Sequence, residues 1–413
     1  MFCLEDLLES LQVDRLSSYF QPVVNLQTGQ IVGCEALLRP VTRDGALLAP
    51  GIVFERARRM ECLLELESAA NQISIDSFVE ETPRAGQPLL LFLNFSAHLL
   101  NGGDLDPEAL LSIVRRAGLD PRNVALDIVE SSVHTPRELL EFVTRTRQEG
   151  FLITLDDFGT KNSNLERVAL VRPQIIKIDR SIVQGVHQDT LKQALLRSVV
   201  YLAQAMGALS LAEGIETLQD LAVCSREGVQ LAQGFLLGRP RPGIASMITL
   251  GAEKIPPLMA NLQEMIAVDL RRARQADLAI SGEISRLLEE LEKISPDQME
   301  SCLEEWVLTR ETIDTICITT DEGIQITRMV VPEGGGEVDP CGPGDDPLFC
   351  LAGKGADHSY RDAVFGLHAL DQDRYVTPPR ISLTTGNLCR TITQKFRSAR
   401  GEYCLLCVDL RCS

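Results

Sequence analysis

Eight short apolar runs recur between Ser18 and Gly238, and most of them alternate with segments of helical spacing. They are Tyr19–Val24, Ile31–Arg39, Pro88–Phe95, Val124–Glu130, Phe151–Phe158, Gln174–Arg180, Leu209–Gly214 and Gln230–Gly238. Strands that alternate with helices pair in parallel, and eight of them predict an α/β chain whose sheet closes on itself as a (βα)8 barrel. One joint departs from this rule. Only Leu26, Gln27, Thr28, Gly29 and Gln30 separate the first two runs, too few for a crossover helix, so that pair is expected as an antiparallel hairpin.

At 413 residues the chain exceeds one ordinary core, and the texture changes after about residue 250. Three parts are expected: a barrel over 1–250, a helical linker over 251–310 and a smaller domain over 311–413. In the linker, Met265, Ile266, Val268, Ala273, Ala276, Ile280, Ile284, Leu287, Leu288 and Leu291 recur at spacings of mostly three and four. This predicts one long amphipathic helix from about Pro256 to Ser295 and Pro296, either an interdomain strut or a dimer-forming signalling helix, since the heptad is not strict. A second helical stretch holds Trp306.

Beyond Thr312 strand patterns return with short turns, which predicts antiparallel pairing. Asp314–Thr320 is followed by the turn Asp321, Glu322, Gly323 and then by Ile324–Val331; Arg380–Gln394 carries a turn at Thr385 and Gly386; Gly401–Leu410 closes the set. The Gly-, Pro- and Asp-rich segment 332–357 reads as a long loop or a partly mobile lid. Next to it, His358, Tyr360 and Arg361 suit either a small-anion pocket or a helix start. Cys404 and Cys407 lie three apart in a strand and therefore face opposite sides, as two small core residues.

The formal charge of −18 opposes attraction to nucleic acid or anionic lipid, so a phosphate ligand must be won locally by metals or placed arginines. No stretch approaches the roughly 18 to 20 apolar residues of a membrane span, and the first residues are acidic where a secretory leader is basic. A soluble, cytoplasmic chain without membrane insertion is expected. The twelve cysteines, scattered through a long chain, are expected to be reduced.

In a parallel barrel the chemistry gathers where the strands end at their C-termini. Those ends carry Glu35, Asn94, Asp127 and Glu130, Asp156 and Asp157, Lys177, Glu213 and Gln233. Each alone is a plausible strand-end cap; seven successive strands ending this way are not. Carboxylates in one mouth repel unless neutralised, and hard oxygen donors with one amide suit Mg²⁺ or Mn²⁺ rather than zinc. Adjacent aspartates suit a two-metal phosphoesterase, one carboxylate bridging the ions.

At this level the chain resembles the EAL phosphodiesterases. The run Glu35-Ala36-Leu37-Leu38-Arg39 is similar to the family's signature, and six further motifs follow in its order: Leu93-Asn94-Phe95, Leu126 to Glu130, Asp156 to Thr160, Ile176 to Asp179, Ala212 to Glu216 and Gln233-Gly234-Phe235. The resemblance covers roughly residues 15–245. It implies a TIM-like barrel that binds cyclic di-GMP and hydrolyses it to linear pGpG with two divalent ions. Glu35, Asn94, Asp127 and Asp156 would hold one ion, and Asp156 with Asp157 the other. Glu213 would be the general base, with Lys177 beside the attacking water. Gln21, Glu35, Leu37, Arg39 and Gln233 would contact the substrate, and Glu130 would clamp the loop after Thr160.

Two departures from the family pattern bear on turnover. Asp127 stands where the family has Glu, one methylene shorter, and the loop after Thr160 reads Lys161-Asn162-Ser163-Asn164-Leu165 instead of Gly-Tyr-Ser-Ser-Leu. A catalytically weak cyclic di-GMP receptor is therefore the alternative to an active enzyme. The C-terminal domain resembles PAS or Cache sensors, which implies a homodimer regulated by an unidentified small ligand.

Overall fold

A computed structural model of the chain describes residues 4–85, 88–95, 107–129, 136–159, 165–310, 312–332, 372–377, 379–382, 385 and 387–411. The chain divides into two units, Met1–Asp269 and Leu270–Ser413. In the first, helix α1 (Leu4–Ser10) precedes β1 (Val13–Asn25) and β2 (Ile31–Thr42), followed by α2 (Pro50–Arg59) and α3 (Leu63–Glu81). Strands β3 (Leu90–Phe95), β4 (Val124–Val129) and β5 (Leu152–Phe158) then alternate with α4 (Pro107–Arg116), α5 (Pro136–Gln148) and α6 (Leu165–Val171). The series ends with β6 (Ile175–Ile178), α7 (Arg180–Val183), α8 (Thr190–Ala205), β7 (Leu209–Ala212), α9 (Leu218–Arg226), β8 (Leu231–Ala232) and β9 (Arg241–Pro242).

Strands β2 to β8 pair in parallel, each with the next, and β1 closes the ring by lying antiparallel between β2 and β8. The expected barrel and its antiparallel first pair are thus present. Its interior is an apolar floor made by Val23, Phe92, Ala125, Ile175, Leu211 and Leu231, with Leu152 packed against it. Side chains alternate across a strand, so the residue two positions on projects to the same side. The floor therefore dictates which residues line the mouth above it: Asn94, Asp127, Asp156 by way of Thr154, Lys177, Glu213 and Gln233 on the parallel strands. On the reversed strand β1 the corresponding residue is Gln21, two before Val23. Most of the remaining apolar residues, among them Phe20, Leu91, Leu93, Leu126, Ile153, Ile176 and Ile178, face the helices in the larger core.

Helix α10 (Ile244–Leu291) begins well before the expected start and passes through Pro256 and Pro257. A proline inside a helix removes the hydrogen bond to the carbonyl four residues earlier. Here those carbonyls belong to Ala252 and Glu253, both exposed residues, on the side of the helix open to water. The helix ends at Leu291, and Ser295 opens α11 (Pro296–Val307) with a capping box closed by Gln298.

The second unit contains an antiparallel sheet in the order β10 (Ile313–Thr320), β14 (Tyr403–Arg411), β13 (Leu388–Arg397) and β11 (Arg374–Val376), with β12 (Arg380–Ile381) also on β13. Thr385 lies in a turn between β12 and β13, as expected, whereas Gly386 lies outside the described residues. Ile324–Val331 forms no continuous strand: Ile326 and Thr327 both donate to the Ile318 carbonyl, and it pairs with β10 by isolated bridges at Gln325 and Val330. β11 was not anticipated, being three residues long without apolar alternation. One sheet face packs Ile316, Ile318, Ile392, Phe396, Leu406 and Val408 with Leu287, Leu291, Leu303 and Trp306 of α10 and α11. Cys404 belongs to this face and Cys407 to the other, with Cys317 opposite it, as the strand spacing requires. The segment 333–371, with His358, Tyr360 and Arg361, lies outside the described residues. No helix among those described is long and apolar enough to cross a membrane.

The barrel core extends beyond residue 250, because Ile255, Met259 and Leu262 are buried in it. Each such burial contributes about 1.5–3 kcal/mol. A chain cut after residue 269 is expected to keep the melting temperature of its barrel, whereas a cut after 250 lowers it by roughly 10 °C or more. Thermal unfolding followed by circular dichroism decides this, and equal midpoints would disprove the contribution.

Candidate active site

The hub of the barrel mouth is Lys177, whose side chain is 1% exposed. Its Nζ lies 2.7 Å from Glu213 Oε1, 3.0 Å from Asp127 Oδ2, 3.3 Å from Asp156 Oδ1 and 3.6 Å from Glu35 Oε1. Four strands thus direct carboxylates at one ammonium carried by a fifth. Glu35 Oε1 also accepts from Asn94 Nδ2 at 2.9 Å and its Oε2 from Gln233 Nε2 at 2.7 Å. Gln233 Nε2 donates as well to Gln21 Oε1 at 3.1 Å, and Gln21 Nε2 donates to the Gly238 carbonyl at 3.0 Å. The amides thereby orient Glu35 from two sides.

Asp156 and Asp157 are neighbours in sequence and would point to opposite faces of a regular strand. Strand β5 breaks register between Leu155 and Phe158, and Asp157 has φ 56°, in the left-handed region. Its N–H donates to Asp156 Oδ1 at 3.0 Å. This bulge turns both carboxylates to the mouth, where oxygens of Asp156, Asp157 and Glu213 lie within 4.8 Å of one another. Gly234 serves the same region: a Cβ there would stand 2.1 Å from the Ile215 carbonyl oxygen, so only glycine lets the loops after β7 and β8 pass.

Five carboxylates face one ammonium, and their protonation follows from that imbalance. Burial, aided by neighbouring Asp156 and Glu35 and opposed by Lys177, pushes Asp127 up from 3.8 to about 8. The same balance takes Glu213 from 4.5 to about 8. Burial and then the charges of Asp156 and Asp179 also raise Asp157. For Glu35 burial acts upward too, but Lys177 and the Asn94 and Gln233 donors outweigh it, and its carboxyl is lowered. Burial would lower Lys177, yet its carboxylate neighbours hold it well above the ordinary value.

Glu35, Leu37 and Arg39 lie at alternate positions on β2, one face leading outward from the mouth, with Gln21 opposite Glu35 in register. Arg39 donates to the Leu38 carbonyl at 2.8 Å, and its guanidinium stands 5.8 Å from the centre of the Tyr19 ring. Of the sequence-derived site residues, all but Glu130 are among those described; Glu130 and the loop with Lys161 and Asn162 lie outside them. Three residues at the site were not anticipated. Thr154 is buried opposite Asp127 in register, Tyr19 lies beneath Arg39, and Asp179 adds its charge beside Asp157. Thr154 carried a signal in its position two residues before Asp156, and Asp179 in closing the motif Ile176 to Asp179.

The donor set fits a hard divalent cation. It consists of oxygens, and Asp127 Oδ1 and Gln233 Oε1 are buried there without hydrogen-bond partners among the described residues. Fold and site together define the class of protein: a closed (βα)8-type barrel with an acidic, oxygen-rich mouth at the C-terminal ends of its strands. The chain belongs to the EAL domain family, which matches residues 4–240.

Among curated relatives, an uncharacterised protein of Mycobacterium tuberculosis is 33% identical over 253 residues, which cover 60% of this chain and 40% of that protein. The cyclic di-GMP phosphodiesterase RocR of Pseudomonas aeruginosa is 28% identical over 244 residues, covering 57% of this chain and 60% of RocR. The chain thus spans less than two thirds of the length of either relative. The Bacillus subtilis YkuI protein, with an EAL domain and solved with cyclic di-GMP and calcium, superposes with a TM-score of 0.74 over 99% of both chains. At 22% identity that likeness concerns the fold.

The raised carboxyls set a pH dependence for the metal-free chain. Between about pH 4.5 and 8 the folded state keeps protons on Asp127 and Glu213 that the unfolded chain has lost. Their stabilisation is complete below the unfolded values and is lost as pH rises toward 8. Urea midpoints in excess chelator should therefore fall from pH 5 to pH 8, and Asp127→Asn should flatten the slope. A midpoint that rises over this range would contradict the assignment.

Proposed function

We propose that the chain hydrolyses cyclic di-GMP to linear pGpG with Mg²⁺ or Mn²⁺ as cofactor. The observation that carries this reading is the convergence of five carboxylates, Asn94 and Gln233 around Lys177, within the segment that matches the EAL domain family. The named activity of RocR supports it. Asp156 and Asp157 would hold a divalent ion beside Glu213, with Glu35, Asn94 and Asp127 on the adjoining side. When bound, such an ion acidifies a coordinated water and neutralises charge on a phosphodiester oxygen.

The chain's own residues supply the rest. Arg39 lies further out on the β2 face that carries Glu35, and its forked guanidinium suits a phosphate oxygen. Glu35, held by two amides, and Gln21 beside it would orient the substrate. Glu213 is placed to take the proton of an attacking water, and Lys177 at 2.7 Å stabilises it once ionised. The water oxygen would bond to phosphorus as the P–O bond to one 3′ oxygen breaks, that oxygen taking up a proton, so that the ring opens to a 5′-phosphate and a 3′-hydroxyl.

A second reading, a receptor that binds without turnover, is favoured by Asp127, which is fully buried and already bonded to Lys177. Incubation with cyclic di-GMP and separation of cyclic from linear product distinguishes the two. We further propose that the second unit regulates the barrel, so that a chain ending at residue 269 binds cyclic di-GMP but turns it over at a different rate.

Product formation is expected to require Mg²⁺ or Mn²⁺ and to be inhibited by calcium, whose larger and more flexible shell orients the reacting oxygens poorly. Glu213→Gln should lower turnover by about a hundredfold or more while binding persists, whereas Arg39→Ala should mainly weaken binding. Undiminished turnover in excess chelator would reject the metal-dependent reading, and parental turnover in Glu213→Gln would reassign the base.

A further inference from the structure

Two buried polar atoms on neighbouring strands of the barrel lack a hydrogen-bond partner among the described residues: Oδ1 of Asp127 on β4 and Oγ1 of Thr154 on β5. The two residues stand opposite each other in register, and each is 0% exposed. Both side chains project inward, because Ala125 and Leu152, two positions earlier, belong to the apolar floor or pack against it. On its other side Thr154 is level with Ile175 of β6, a floor residue that offers a hydroxyl nothing. Its polar neighbour in register is therefore Asp127.

Asp127 is bonded through one oxygen only. Its Oδ2 accepts from Lys177 Nζ at 3.0 Å, and the same ammonium lies within 3.6 Å of Glu213, Asp156 and Glu35, which occupy its remaining protons. Oδ1 and the Thr154 hydroxyl do not bond each other either, and a buried polar atom left unpaired lowers stability. Shape does not call for the hydroxyl, since valine has the same outline and suits the interior of a barrel. A carboxylate oxygen only accepts, whereas a hydroxyl both donates and accepts. A hydrated divalent ion satisfies the two together: the ion takes Oδ1, and one of its waters takes Oγ1. Ions of the magnesium class keep part of their water when bound.

Resting on the phosphodiesterase reading, we propose that Thr154 is a positioning residue of the metal site, its hydroxyl holding a water of the divalent ion that binds Asp127 Oδ1. Thr154 touches neither the ion nor the substrate. The water takes up the length that Asp127 lacks beside the family's glutamate, so the shorter acid and the threonine work as a pair.

The test compares Thr154→Val, which removes the hydroxyl and keeps the outline, with Thr154→Ser, which keeps the hydroxyl. Full-length chains are titrated with manganese, and free Mn²⁺ is followed by its electron paramagnetic resonance signal. Urea midpoints are measured in chelator and in saturating manganese. Thr154→Val should weaken one bound ion by about tenfold or more, while Thr154→Ser stays close to the parent. In chelator the valine chain should unfold at the parent's urea concentration or a higher one, because an unpaired hydroxyl is gone; in manganese it should unfold earlier. In an Asp127→Asn background the valine should cost no further affinity, since both residues act on one ion. Unchanged manganese binding in Thr154→Val, an equal loss in Thr154→Ser, or an undiminished loss on top of Asp127→Asn would overturn the inference. So would a Thr154→Val chain that is less stable than the parent in chelator. Linear product measured in the same samples keeps the two claims apart. Weakened manganese binding by Thr154→Val, with no product from the parent, supports the inference and overturns the phosphodiesterase reading. Metal-dependent product from the parent, with unchanged binding in Thr154→Val, does the reverse.

Discussion

A buried ammonium surrounded by carboxylates holds the barrel mouth together. Lys177 alone, carried out of water, would be costly, and so would each of the acids around it. Placed within 3.6 Å of four carboxylates on four strands, it compensates them and is compensated in turn. The balance is incomplete by design of the sequence, since five acids face one cation. That surplus raises Asp127, Asp157 and Glu213 and makes the mouth a place where a further positive charge is welcome.

This arrangement depends on the register of the barrel. Each inward polar residue sits above an inward apolar one, as Lys177 above Ile175, Asp127 above Ala125 and Glu213 above Leu211. The floor excludes water from below, and the helices packed outside exclude it from behind. A one-residue slip of any strand would send its polar residue into the outer apolar core, so burial specifies the site as firmly as it specifies the fold. The reversed β1 adds a constraint of its own. It brings Gln21 opposite Glu35, so that one glutamine pair spans the seam where the barrel closes.

The second unit obeys different rules. Its sheet is antiparallel and packs one face on Leu287, Leu291, Leu303 and Trp306, helical residues that could not bury themselves alone. Helix α10 contributes Ile255, Met259 and Leu262 to the barrel core and, further along, Ile284 to Leu291 to this second core. Between these two sets the helix is exposed over residues 269–279, Leu270 and Leu278 included.

What the sequence by itself determined is the list of residues and the alternation that carries them. Eight apolar runs between helical segments imply a closed sheet, five residues between the first two imply a reversed strand, and a polar residue two places beyond an apolar one implies a mouth. Period and loop length are local properties, and they survive without coordinates. The path of α10 through Pro256 and Pro257 was not legible, because it depends on which carbonyls face water. The same holds for the joint turning of Asp156 and Asp157, which needs a bulge, and for the pairing of Cys407 with Cys317, which needs strand register. Above all, only the tertiary structure decided that Asp127 is bonded to Lys177 and that Glu213 stands with Asp156 and Asp157. Charges separated by dozens of residues interact by distance in space, and no spacing in the chain encodes a gap of a few ångströms across a barrel.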